Sequence, residues 1–248
     1  RSRGEARYFV DAELNDPVWQ ADLPVIIAGP ALARQLIARD RFKSLPGRLQ
    51  ADLRTDVQDV HSVNVMGIIP GRDARLSQEV VAYSAHYDHL GISTPNARGD
   101  TIYNGFSDNA AGVAMLLGIA QEMKTNPPAR SVLFLFFTGE ERGLLGSSYY
   151  ASHPVLPLSR MKGLINLDAG APPAAPVSWR IAGGLATRSA PLGEIARQVR
   201  TSNKWSVDLS AASPNSDYWP FLERGVHSIF IIRGNRWENV NEAQQAAL

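Results

Sequence analysis

Residues able to hold a metal ion stand directly after three apolar runs of the sequence. The run Val80 to Ala85 ends in His86 and Asp88, within SAHYDHLG. Val132 to Phe137 leads to Glu140 and Glu141, within FTGEERG, and Leu164 to Leu167 leads to Asp168, within NLDAG. Asp108 arrives differently, in NGFSDNAAG, where the small residues that follow let backbone approach closely. Zinc takes histidine nitrogen and carboxylate oxygen, and a catalytic zinc site leaves one position open for water. Two such ions repel each other, so a carboxylate shared between them supplies charge to both and fixes their spacing. Asp108 fits that bridging role. Of two adjacent glutamates, one can ligate metal while its neighbour stays free to take a proton from water and pass it to a leaving amine. This divides Glu141, the ligand, from Glu140, the base.

Each of these residues has a plainer reading. Asp108 could cap the helix that follows, since aspartate is favoured there for hydrogen bonding alone. Glu140 and Glu141 could be a solvated helix start, and Asp168 a strand-end turn residue. Their joint placement favours a site. His86 gains weight from Asp88, because metal-bound imidazoles are commonly oriented by a carboxylate. His89 is assigned to the rim of the site, and His61 and His153 to the surface. His227 precedes the last strand, so it is expected at the opposite end of the sheet from the other groups. Asp217 reads either as a helix cap before Tyr218 or as part of a substrate rim. Tyr218 and Trp219 are candidates for lining a substrate pocket.

The elements that must position these groups are legible as pattern. Strands are expected at Val63 to Ile69, Val80 to Ala85, Val132 to Phe137, Leu164 to Leu167 and Ser228 to Ile232, mostly as continuous apolar runs. Such runs alternating with helices predict an α/β fold with a mostly parallel central sheet flanked by helices. In an open parallel sheet, sites gather outside the carboxyl ends of the strands, so residues distant in sequence can converge. One helix follows Asn109, with Val113, Leu116, Leu117 and Ala120 at the spacing of one face, ended by Asn126-Pro127-Pro128. Others are predicted from Gly143 to about His153, from Leu192 to Val199, and from Tyr218 to Glu223 before Gly225. APPAAP at 171–176 reads as a stiff loop, and no internal repeat is present. The first residues look like a separate small lobe, with a strand-like Pro24 to Ala28, a helix-like Ala31 to Arg39 and a loop at Pro46-Gly47.

Composition narrows the partners. Lysine and arginine total 25 against 24 acidic residues, a formal charge of +1, which provides no field for nucleic acid or an anionic membrane. There is no cysteine, so thiolate ligands, disulfides and a cysteine nucleophile are excluded. No apolar run reaches the roughly 20 residues that span a bilayer. The opening RSRGEARYFVDAE lacks the apolar segment of a signal peptide, and the start reads as trimmed.

Taken in order, SAHYDHLG, IYNGFSDNAAGVAMLL, RSVLFLFFTGEERGLLGSSYY, LINLD and SDYWPFLERGV resemble the two-zinc aminopeptidases, specifically members with an inserted protease-associated domain. The resemblance covers most of Val63 to Arg233. It implies His86, Asp108 and Asp168 on one zinc, Asp108 and Glu141 on the other, Asp88 orienting His86, and Glu140 as general base. It further implies a peptide substrate, a secreted or periplasmic setting, and a cis peptide bond between Asp108 and Asn109. Residues 1–47 would be the tail of a protease-associated-like lobe and 48–248 the catalytic domain. Carboxypeptidases, glutaminyl cyclases and non-catalytic binding proteins resemble the same family and are the alternatives.

The sequence departs from that family pattern in several places. A last histidine normally follows the terminal strand, and none occurs after Phe230. The expectation is therefore a well-held first zinc and a poorly held second, unless a loop is absent between Gly234 and Asn235. Ser107, Tyr218 and Ala169 replace the commoner aspartate, histidine and methionine.

Overall fold

The computed structural model describes residues 37–38, 41–42, 60–92, 94–168, 178–203 and 206–233. The chain divides into two compact units, Arg1–His61 and Ser62–Leu248. In the first, the described residues form two short antiparallel strands, β1 (Ile37–Ala38) and β2 (Arg41–Phe42). The helix expected over Ala31 to Arg39 is thus replaced by strand at Ile37–Ala38, because a pairing partner a few residues on overrides local helical spacing. The rest of that expected helix, Pro24 to Ala28, Pro46-Gly47 and the 171–176 loop lie outside the described residues.

The second unit is built on a seven-stranded sheet. Its strands are β3 (Val65–Ile69), β4 (Val80–His86), β7 (Ser131–Phe137), β8 (Met161–Leu167), β9 (Ser178–Ala182), β10 (Ser206–Ser210) and β11 (Ser228–Arg233). Two short strands, β5 (Gly91–Ile92) and β6 (Ile102–Tyr103), pair separately as an antiparallel ribbon. The order across the sheet is β10-β9-β11-β8-β4-β7-β3. Strands β11, β8, β4 and β7 are mutually parallel, β3 and β9 join them antiparallel, and β10 runs parallel to β9. This is the α/β architecture expected, with β9 and β10 added. Those two were not foreseen because SWRIA and SVDLS are not continuous apolar runs.

Helices cover both faces. They are α1 (Ala111–Thr125), α2 (Leu145–Ser152), α3 (Ala190–Asn203) and α4 (Trp219–Glu223). Side chains alternate across a strand, so one apolar run serves two cores. In β7, Leu133, Leu135 and Phe137 pack with Tyr150 and Ala151 of α2 and Phe221 and Leu222 of α4. The intervening Val132 and Phe134 pack against Leu116 of α1. On that second face, Ala196 of α3 joins Ile181, Val207 and Ile229. One position of the predicted α1 face is corrected: Leu116 is 0% exposed but Leu117 is 58% exposed. The helix touches the sheet along a narrower stripe than i, i+3, i+4 spacing assumes.

Candidate metal centre

Strand register brings the predicted groups to one end of the sheet. His86 closes β4 opposite Phe137, the last residue of β7, and Ser84 lies opposite Asn166 of β8. Two residues further along each of these strands, His86 therefore meets Asp168. Its Nε2 stands 3.1 Å from Asp168 Oδ1 and 3.1 Å from Asp108 Oδ1. The ligand atoms of a tetrahedral zinc, with bonds of about 2.0–2.1 Å, stand roughly 3.3 Å apart, so these groups fit around one ion with little movement.

The other imidazole nitrogen, Nδ1, lies 3.1 Å from the main-chain carbonyl of Asp88 and 3.6 Å from its carboxylate Oδ1. A proton on Nδ1 directed at that carbonyl leaves Nε2 as the free lone pair. The Asp88 carbonyl thus lies nearer the imidazole than its carboxylate does, and both face the same nitrogen. Its side chain does something the sequence did not reveal: Oδ1 accepts the Glu140 amide at 3.2 Å and Oδ2 the Glu141 amide at 3.3 Å. One carboxylate thus fixes the backbone of both glutamates.

Asp108 reaches the site from a kinked turn, Phe106–Ala110, in which Asp108 and Asn109 both leave helical dihedrals. The peptide bond between them is cis, as the resemblance implies. The capping alternative fails, since Ala110 rather than Asp108 stands at the N-cap position of α1. Asn109 ties the turn down instead: its Nδ2 donates to the Leu167 carbonyl at 2.9 Å, and its Oδ1 accepts the Gly112 amide at 3.1 Å. A Cβ on Gly112 would stand 2.3 Å from Asn109 Oδ1 and 2.6 Å from the Leu167 carbonyl, so only glycine permits this closure.

Asp168 is buried and held by a chain of side chains that sequence reasoning missed. Ser216 Oγ donates to Asp168 Oδ2 at 2.6 Å, Asn166 Nδ2 donates to Ser216 Oγ at 2.6 Å, and Ser84 Oγ donates to Asn166 Oδ1 at 2.7 Å. Ser84 and Asn166 sit two residues before His86 and Asp168. That shared offset is the signal that could have revealed them, because alternate residues of a strand share a face.

The concentration of carboxylates gives the site a strong demand for positive charge. Burial works against a charged His86, yet its hydrogen bonds to Asp108, Asp168 and Asp88 overcome this and drive its pKa far upward. Asp108 is lowered mainly by His86. Glu140 is pushed up to about 8, first by burial and then by Asp217, Asp168 and Glu141, with His86 opposing. Among the described residues, two groupings have the composition and closeness of a metal site: His86, Asp108 and Asp168, and His89, Asp108 and Glu141. Asp108 belongs to both. His89, assigned to the rim from sequence, makes a 2.7 Å contact from Nδ1 to Glu141 Oε1.

The remaining candidates fall elsewhere. His227 precedes β11, and its Nδ1 pairs with the Arg188 carbonyl, away from the strand carboxyl ends. His153 bonds the Tyr149 carbonyl at the end of α2. Asp217 neither caps α4 nor lies on an exposed rim, being wholly buried. Tyr218 is core rather than pocket lining: its hydroxyl donates to the Ser213 carbonyl and accepts the Ser213 amide, both at 2.7 Å. The expected loop between Gly234 and Asn235, and Ala169, lie outside the described residues.

A parallel-centred sheet with histidine and carboxylates at its strand ends defines a metallohydrolase type of architecture. Residues 64–246 match the model of Peptidase family M28, and the chain belongs to that family. Aminopeptidase YwaD of Bacillus subtilis is 29% identical over 181 residues, covering 70% of this chain and 36% of the relative. A probable leucine aminopeptidase 2 of Aspergillus oryzae is 28% identical over 197 residues, covering 76% and 37%. A solved zinc aminopeptidase from Bacillus subtilis superposes with a TM-score of 0.57 at 26% identity, covering 73% of this chain and 42% of that one. The chain thus spans little more than a third of the length of these curated relatives.

Proposed function

We propose that this chain carries the catalytic centre of a zinc-dependent aminopeptidase that hydrolyses the N-terminal peptide bond of peptides. The observation that carries the reading is the placing of His86 Nε2 at 3.1 Å from both Asp108 and Asp168, in an arrangement that fits zinc. The names of the relatives point the same way. His86, Asp108 and Asp168 would hold one zinc, and Asp108 with Glu141 would take part in holding a second. Bound there, zinc would polarise the scissile carbonyl and lower the pKa of the attacking water. Glu140 accepts the proton of that water and returns it to the departing amine. Asp88 serves by fixing the Glu140 and Glu141 backbone and the His86 ring, and is a positioning residue. Residues 1–47 are read as the tail of a protease-associated-like lobe.

Glu140→Gln and Glu141→Gln test the division of labour. The first amide cannot accept a proton, so turnover of an unmodified peptide falls about 100-fold or more while zinc per chain is unchanged. The second variant loses zinc affinity instead. Full activity in Glu140→Gln, or unaltered zinc binding in Glu141→Gln, overturns the assignment.

A further inference from the structure

We propose that His89 is the nitrogen ligand of a second metal ion, held together with Asp108 and Glu141. The proposal rests on the zinc reading above and deepens it, starting from the grouping of these three side chains. Two carboxylates alone leave half of a tetrahedral shell unfilled by protein, whereas an imidazole brings the set to the three protein ligands typical of a catalytic zinc. His89, Asp108 and Glu141 each place a ligand atom within 4.8 Å of the others. Asp108 is also part of the His86 grouping, so the two ions would share it.

The packing around His89 is consistent with a positioned ligand rather than a loose surface ring. Its side chain is 20% exposed and that of Glu141 18%, so both are largely withdrawn from solvent. Gly105, at φ +65, lies directly on it: a Cβ there would stand 2.8 Å from both His89 Cβ and Cγ, and 2.6 Å from the Asp108 carbonyl. The missing side chain at 105 lets the segment carrying Asp108 fold against the His89 ring. Asp88, the residue before His89, clamps the Glu141 amide. Neighbouring residues on one short segment therefore fix the backbone of Glu141 and contact its carboxylate. His227 cannot serve, since it is engaged at Arg188 before β11.

A simpler role for His89 is an ion pair with Glu141, and metal stoichiometry separates the two. Metal-free protein is titrated with zinc, and His89→Ala and His89→Gln are titrated beside it, with circular dichroism to show that each variant is folded. Wild type is expected to bind two equivalents. The variants are expected to keep the first at unchanged affinity and to bind the second at least about 100-fold more weakly, beyond the usual range for losing an outer partner alone. A measurement needing no variant accompanies this: cadmium-113 loading of protein labelled with nitrogen-15 histidine, where two imidazoles, His86 and His89, should show coupling to metal. Two equivalents in both wild type and variants, or cadmium coupling at His86 alone, overturns the His89 assignment and leaves the zinc reading standing. A single equivalent in wild type, abolished by His86→Ala, also overturns it. No zinc bound by wild type at all would overturn the zinc reading with it.

Discussion

Asp217 is 0% exposed, and neither carboxylate oxygen has a hydrogen-bond partner. The nearby Ser147 hydroxyl is already directed at the Leu144 carbonyl, at 3.2 Å. Burial, with Asp168 and Asp88 adding to it, raises the Asp217 pKa from 3.8 to about 7, although Ser147 and His86 pull the other way. The folded protein therefore keeps this proton over a range in which the unfolded chain has released it. Stability falls as pH rises from about 4 to about 7 and then levels off, with a ceiling of roughly 4 kcal/mol for this one group. Asp217→Asn carries no such proton. In metal-free protein its melting temperature should exceed that of wild type at pH 8 and approach it at pH 4, as read by thermal denaturation. An equal difference at both pH values would show that Asp217 is not the group responsible. At this scale the sequence revealed the groups gathered at the site but not their supports. Ser84, Asn166 and Ser216 are ordinary polar residues whose roles exist only through pairings between β4, β8 and the segment before α4. The closeness of His89 to Glu141 and Gly105 was hidden for the same reason, since nothing local shows that the segment after β6 folds onto it.

The elements that position the site were legible where apolar residues run together. Strands β4, β7, β8 and β11 form the parallel centre of the sheet, and each was visible as such a run. Strands β9 and β10 were invisible because Arg180 and Asp208 interrupt their patterns. Helix α1 was visible in its periodicity, but its buried stripe was set by the sheet beneath it rather than by the helix alone. The contrast between its two adjacent leucines gives a direct check. Leu116 fills the space between Val132, Phe134 and Ala85, so Leu116→Ala should cost about 2–5 kcal/mol in urea unfolding. Leu117, mostly in water, should cost below about 1 kcal/mol when replaced by Ala. Equal losses would mean that α1 is rotated from the orientation described. Because α1 follows directly on the Asp108 turn, and Asn109 pins that turn to β8, loosening Leu116 should also weaken zinc binding.

For the molecule as a whole, the candidate metal centre draws on four chain segments that meet only when the sheet forms: the ends of β4, β7 and β8, and the turn before α1. None of them alone carries a grouping that could hold a metal. The formal charge is close to balanced, at +1. Among the described residues no helix is long and apolar enough to cross a membrane. The fold class could be read in advance because one rule, apolar runs alternating with helices, governs most of Ser62–Leu248. The first unit offered no comparable pattern, and its short β1–β2 pair ran against the helical spacing seen there. Product analysis decides whether the proposed zinc centre is that of an aminopeptidase. A peptide with distinct residues at its two ends is incubated with the zinc-loaded protein and followed by mass spectrometry, beside the same peptide acetylated at its N-terminus. The expected result is release of the first residue from the free peptide alone, lost on zinc removal and restored by zinc. Release from the C-terminus, formation of a cyclised N-terminus, or no zinc-dependent product would contradict it.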